Sequence, residues 1–212
     1  MKGSALSHNR RLKTILLFLL ALLLIGISLL LLAKTLSKAY DTVPLTDEIE
    51  QRAGNATFWF DYRESYGQDI KPFALPERPD IVFCYSDHLA LTLPAIYLQD
   101  KPDEVIISTP LNAYICDLNG DGVEELCVTC SVGFGMIDYR ICIYDPVAKQ
   151  TYELENRGYY DYSLEIRDGK LIAVKKSYPL SPYPPNDTVV CEGVPVLVPT
   201  ANGVMIKIAV AE

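Results

Sequence analysis

The hydrophobic pattern divides the chain into three parts. Ile15 to Ala33 is an uncharged apolar run of 19 residues, mostly leucine, long enough for a membrane-spanning helix. Residues 34–79 are mainly polar. Thr46-Asp-Glu-Ile-Glu50 can open a short helix with Thr46 as its cap, and Phe58, Trp59 and Phe60 can dock this stretch onto the C-terminal domain. Pro72, Pro76 and Pro79 mark a stiff, non-helical approach. Beyond Pro79 the pattern turns strand-like.

The candidate strands are short, and turn residues separate them. They are 81–85, 88–97 (interrupted by Pro94), 105–108, 113–116, 126–130, 139–144, 151–154, 162–166, 170–174, 194–198 and 204–210. Asp145-Pro146, Asp168-Gly169 and Asn202-Gly203 supply turns at close spacing, the signature of a meandering antiparallel sheet. Tyr178 to Pro185 holds four prolines and reads as an ordered surface loop, with a polyproline recognition element as the alternative. Strands 113–116, 126–130, 139–144 and 151–154 make one blade-like unit of four. The other strands must cover its apolar face. The expected fold is therefore mainly β: a small antiparallel sandwich or blade-like β domain with an N-terminal transmembrane helix.

Charge orients this arrangement. The formal net charge is -8, with 19 basic and 27 acidic residues. Residues 1–13 carry Lys2, Arg10, Arg11 and Lys13 and no acid. Setting those four aside leaves 15 bases against 27 acids, a balance of -12. So acidic a domain makes a poor nucleic-acid binder and suits cations or basic partners. The basic flank places residues 1–13 in the cytoplasm, 14–33 in the membrane, 34–79 next to it and 80–212 outside. Lys34 and Lys38 weaken that asymmetry slightly. A cleaved signal peptide is the alternative, with Ser37-Lys-Ala39 as a small-x-small site. The length of the apolar run favours an uncleaved anchor.

The candidate chemistry lies in one acidic stretch, Asp117-Leu-Asn-Gly-Asp-Gly-Val-Glu-Glu125. Asp117, Asn119 and Asp121 alternate, as the oxygen ligands of a hard cation must in a short loop. Val123 offers a backbone carbonyl and Glu125 a further carboxylate. Gly120 and Gly122 permit sharp turns. Counted from Asp117, the twelfth residue is Val128, where an EF-hand needs a bidentate Glu. The flanks also read as strands rather than helices. A metal-free hairpin turn is the plainer alternative, because Asn-Gly and Asp-Gly turn strands unaided.

Residues 117–126 fit D-x-[DN]-x-D-G-x-x-[DE]-L throughout. The stretch thereby resembles the calcium hairpin of the FG-GAP/VCBS repeat family. The resemblance implies Ca2+ held by Asp117, Asn119, Asp121, the Val123 carbonyl and Glu125. It covers one hairpin, and no second copy occurs in the chain, so a full propeller is not implied.

The other constellations carry less. Six cysteines (84, 116, 127, 130, 142 and 191) permit disulfides in an exported domain, with 15 possible connectivities. Alternatively they are small buried hydrophobes. Cys127-x-x-Cys130 lacks a second close CxxC, and residues three apart on a strand face opposite sides. Asp87-His88 stands without a nucleophile motif. Gly133-Phe-Gly135 lacks the third glycine of a dinucleotide loop and fits a bulge or bend. Asn55-Ala-Thr57 and Asn186-Asp-Thr188 match the glycosylation triplet. The resulting expectation is a single-pass membrane protein with a calcium-stabilised extracytoplasmic β domain for binding, adhesion or sensing, with the membrane as its partner and another protein as a candidate partner. The alternatives are a membrane-anchored metal-dependent hydrolase and a structural subunit of a membrane complex.

Overall fold

The computed structural model describes residues 18–28, 41–61, 73–75, 78–86, 93–133, 137–154, 160–177 and 188–211. The chain forms two units, Met1–Thr42 and Val43–Glu212. In the first, residues 18–28 are helical (α1) and their apolar side chains are exposed. No helix among the described residues is long and apolar enough to cross a membrane. The remainder of the run expected to span, 14–17 and 29–33, lies outside the described residues.

The second unit is mainly β and antiparallel, as expected. Its central sheet is a meander of β7 (Pro110–Cys116), β8 (Glu125–Val132), β9 (Asp138–Asp145) and β10 (Gln150–Leu154). These are the four strands read as a blade-like unit. A fifth, β2 (Thr57–Asp61), pairs with β7 through Thr57↔Ile115 and Asp61↔Asn112. The stretch read as lying beside the membrane thus contributes a strand, and the second unit begins at Val43 rather than near residue 80. Two further sheets flank the first. One has the order β1 (Thr42–Pro44), β14 (Gly203–Val210), β13 (Val189–Thr200), β12 (Lys170–Ser177), β11 (Tyr160–Arg167). The other has the order β3 (Phe73–Ala74), β4 (Ile81–Ser86), β5 (Leu93–Leu98), β6 (Lys101–Ser108).

The central strands explain this layering. Successive side chains on a strand point to opposite faces. Tyr114, Cys116, Cys127, Ile141 and Ile143 face the β11–β14 sheet and pack with Leu164, Leu171 and Ile208. Their neighbours Ala113, Ile115, Leu126, Val128 and Cys142 face the other way and pack with Phe83, Ile96 and Ile107. Both faces are apolar, so the strands read as continuous hydrophobic runs rather than alternating ones. Phe60 of β2 joins the second core and touches Phe83, with ring centroids 4.6 Å apart.

Polar groups are placed to match. β11 ends its sheet, so one side of its backbone has no strand partner. Thr129 Oγ1 accepts from Leu164 N at 2.8 Å, and Asn112 Nδ2 donates to Leu164 O at 2.9 Å. Both side chains are buried, and they satisfy groups that are expensive to leave unpaired. The short helix α2 (Asp47–Ala53) follows Thr46, whose Oγ1 accepts from Ile49 N at 3.3 Å. Ala53 packs against Val194, Val196 and Ala209.

The described cysteines Cys116, Cys127, Cys130, Cys142 and Cys191 are all free and buried. Cys127 lies in one core and Cys130 in the other, so the CxxC spacing brings no two sulfurs together. Asp87, His88, Gly135 and Asn186 lie outside the described residues, while Asn55 is exposed.

Truncating Ile143, which is fully buried, to Ala should cost about 2–5 kcal/mol. Val147→Ala, at an exposed turn, should change stability by less than about 0.5 kcal/mol. Urea unfolding of the two full-length variants checks the contrast.

Candidate metal centre

The acidic stretch joins β7 to β8. The last register pair is Cys116↔Glu125, so residues 117–124 form the loop. Two glycines turn it, with φ +80° at Gly120 and +84° at Gly122, a region that L side chains rarely adopt. A Cβ at Gly120 would also sit 2.4 Å from the Arg52 guanidinium carbon, so that side chain would have to shift.

Side-chain oxygens organise the loop. Asp117 Oδ1 accepts from Gly120 N at 2.6 Å and its Oδ2 from Gly122 N at 3.0 Å. Asn119 Oδ1 accepts from Asp121 N at 2.8 Å, and Asp121 Oδ1 accepts from Val123 N at 2.8 Å. Asn119 Nδ2 donates to Asp121 Oδ2 at 3.2 Å. The Asn119 and Asp121 bonds are successive Asx turns, and the Asp117 bonds reach three and five residues on, so the three alternating residues lie on one short path. Each oxygen has a second lone pair available for a cation.

Glu125 stands apart from this rim. It is the first residue of β8 and is fully buried. Its Oε2 accepts from Leu118 N at 2.7 Å, while Oε1 is buried without any hydrogen-bond partner. Burial pushes its carboxyl up to about 7, against the opposing pull of the Leu118 N–H; Asp145, Asp117 and Asp121 add to the rise. Burial, with Glu125, Asp117 and Glu124 nearby, also pushes the Cys116 thiol up to about 12. That thiol stays protonated and is no nucleophile at neutral pH.

The structure thus brings Asp117, Asn119 and Asp121 together and sets Glu125 beneath them. Val123 sits at the exposed rim. Among the described residues no three His, Cys, Asp or Glu side chains converge on one metal-sized centre. Closing Asp117, Asp121 and Glu125 on a common point costs like-charge repulsion, which a divalent cation offsets. The donor chemistry fits a hard cation: all five candidates offer oxygen, and Glu125 Oε1 is a buried acceptor lacking a partner. The spacing of the acids in this structure does not by itself form a metal-sized centre.

The sequence did not reveal what braces the loop. Arg52, at the end of α2, donates from Nη1 to Leu118 O at 3.4 Å and pairs with Glu48. Cys116 Sγ donates to Arg52 O at 3.4 Å. Residues 64 or more apart in sequence meet here, and no local pattern encodes that. Asn55, Arg78, Asp117 and Glu124 line an open cleft beside the loop, where Arg78 is held by Asp80 at 2.7 and 2.9 Å.

Compared with family models, with curated proteins and with solved structures, the chain matches none.

Glu125 makes stability depend on pH. Its carboxyl holds a proton more tightly in the native chain than in the unfolded one. In chelator, unfolding free energy should therefore fall as pH rises from about 4.5 to about 7 and then level off. The loss should be on the order of 3 kcal/mol. Glu125→Gln should flatten this dependence, as read by urea unfolding across the range.

Proposed function

We propose that the chain is a single-pass membrane protein whose β domain is stabilised by calcium and lies outside the cytoplasm, where it serves binding, adhesion or sensing. The observation that carries the metal reading is the unpartnered, buried Oε1 of Glu125 beneath an all-oxygen acidic loop. An ionised carboxylate without a partner is costly to bury, and a cation removes that cost. Asp117, Asn119 and Asp121 would hold the ion from the rim, the Val123 carbonyl from the side and Glu125 from below. The fit of residues 117–126 to the FG-GAP/VCBS hairpin pattern supports the same ligand set.

When bound, calcium supplies charge neutralisation and a tie between β7 and β8. The chain's own residues do the rest. The buried strands hold Cys116 and Glu125 in register, and Arg52 braces the loop from α2. On this reading the loop stiffens one end of a sandwich-like β domain and performs no catalysis. Membrane attachment rests on the apolar run of 15–33, and its orientation on the four basic residues before it.

Calcium at about a hundred times its dissociation constant should stabilise the detergent-solubilised full chain by about 2.7 kcal/mol. That is a rise of roughly 5–10 °C in thermal midpoint for a domain of this size. Asp117→Ala should abolish the response, and a wild-type midpoint indifferent to calcium would sink the metal reading.

The topology has its own test. Protease added to intact cells should remove the C-terminal domain and spare a short membrane-protected fragment; full protection of the domain reverses the orientation.

A further inference from the structure

Behind the loop lies a carboxylate that the loop pattern does not include. The β8–β9 register runs Cys127↔Ile143 and Leu126↔Tyr144. One further step along it sets Glu125 beside Asp145. Both positions lie on the face that carries Cys127 and Ile143 into the core between the central sheet and the β11–β14 sheet. Glu125 is fully buried and Asp145 is 8 % exposed, so little water separates their charges. Two neighbouring acids in that setting call for a cation or a proton between them.

Asp145 also performs a local task. Its Oδ1 accepts from Val147 N and Ala148 N, both at 2.8 Å, and closes the β9–β10 turn. Both bonds go to the one oxygen, and among the described residues Oδ2 takes none. A turn cap needs an acceptor oxygen but no charge, since Asn caps such turns as Asp does and Ser does so more weakly. The charge of Asp145 is therefore surplus to the turn. It faces Glu125, whose Oε1 is buried without a hydrogen-bond partner.

We propose that Asp145 belongs to the cation site, where it stands beside Glu125 and adds a fourth carboxylate to those of Asp117, Asp121 and Glu125, drawing a divalent, oxygen-preferring cation towards the inner end of the loop. Asp145 acts through its charge and through the placing of Glu125. It ties the β9–β10 turn to the β7–β8 loop, so the site spans two hairpins. This inference rests on the calcium reading above.

Calcium titration of the full chain against a fluorescent chelator tests it, with thermal midpoints recorded in EDTA. Asp145→Asn keeps the capping oxygen and removes the charge. It should weaken calcium binding about tenfold and leave the midpoint in EDTA at or above that of the wild type, because one of two neighbouring buried charges is removed. Asp168→Asn, at the positive-φ turn between β11 and β12, removes one charge far from β8 in sequence and should leave the affinity unchanged. If the Asn variant fails to fold, Asp145→Ser, which also caps, decides in its place. Equal affinity in the wild type and the Asp145 variant overturns this inference alone. Equal weakening by Asp168→Asn reduces it to a net-charge effect and overturns it too. A wild type that binds no calcium overturns the calcium reading with it.

Discussion

Both faces of β7–β9 are buried, and the layout of the domain depends on that. Such a sheet needs a cover on each side. The chain before β7 builds one cover with Phe83, Ile96 and Ile107, and the chain after β10 builds the other with Leu164, Leu171 and Ile208. Each fully buried aliphatic or aromatic side chain contributes about 1.5–3 kcal/mol through area removed from water. The central strands collect that gain on alternate residues of both faces. Asn112 and Thr129 bring polar side chains into this core and satisfy the backbone of Leu164 at the free side of β11.

The same burial gives the acidic loop its character. A loop between two exposed strands would place its last acid in water. Here β8 enters the core at its first residue, and Glu125 enters with it. One carboxylate oxygen finds Leu118 N; the other finds nothing. The loop's rim is exposed and bonded to its own backbone, while its base is a fully buried acid. The contrast between rim and base is the observation on which the proposed cation rests. Asp145 sharpens the contrast, because the β8–β9 register sets a second acid against the first.

Much of the local structure was legible in advance. Thr46 caps α2 as expected. Asp168-Gly169 turns β11 into β12 with φ of 51° and 77°. The four-strand meander appears in order, with ends that extend by one residue at β9 and β10, by up to two at β8 and by three at β7. The reading failed where distant segments meet. Phe58-Trp-Phe60 was read as a docking patch in a polar approach, yet Thr57–Asp61 is a strand of the central sheet. The cysteines left disulfides and buried thiols both open, and the five described ones are free and buried; Cys127 and Cys130 do lie in opposite cores, as the strand period implies.

The sequence alone determined the strand period, the turns and the oxygen-bearing loop with its two glycines, because each depends on neighbours within about ten residues. Only the tertiary structure decided that the central sheet has two covers, that Arg52 braces the loop and that Glu125 is dry beside Asp145. These outcomes depend on which segments lie across one another, and a pattern that repeats every two residues names the two faces of a strand without saying what will cover them.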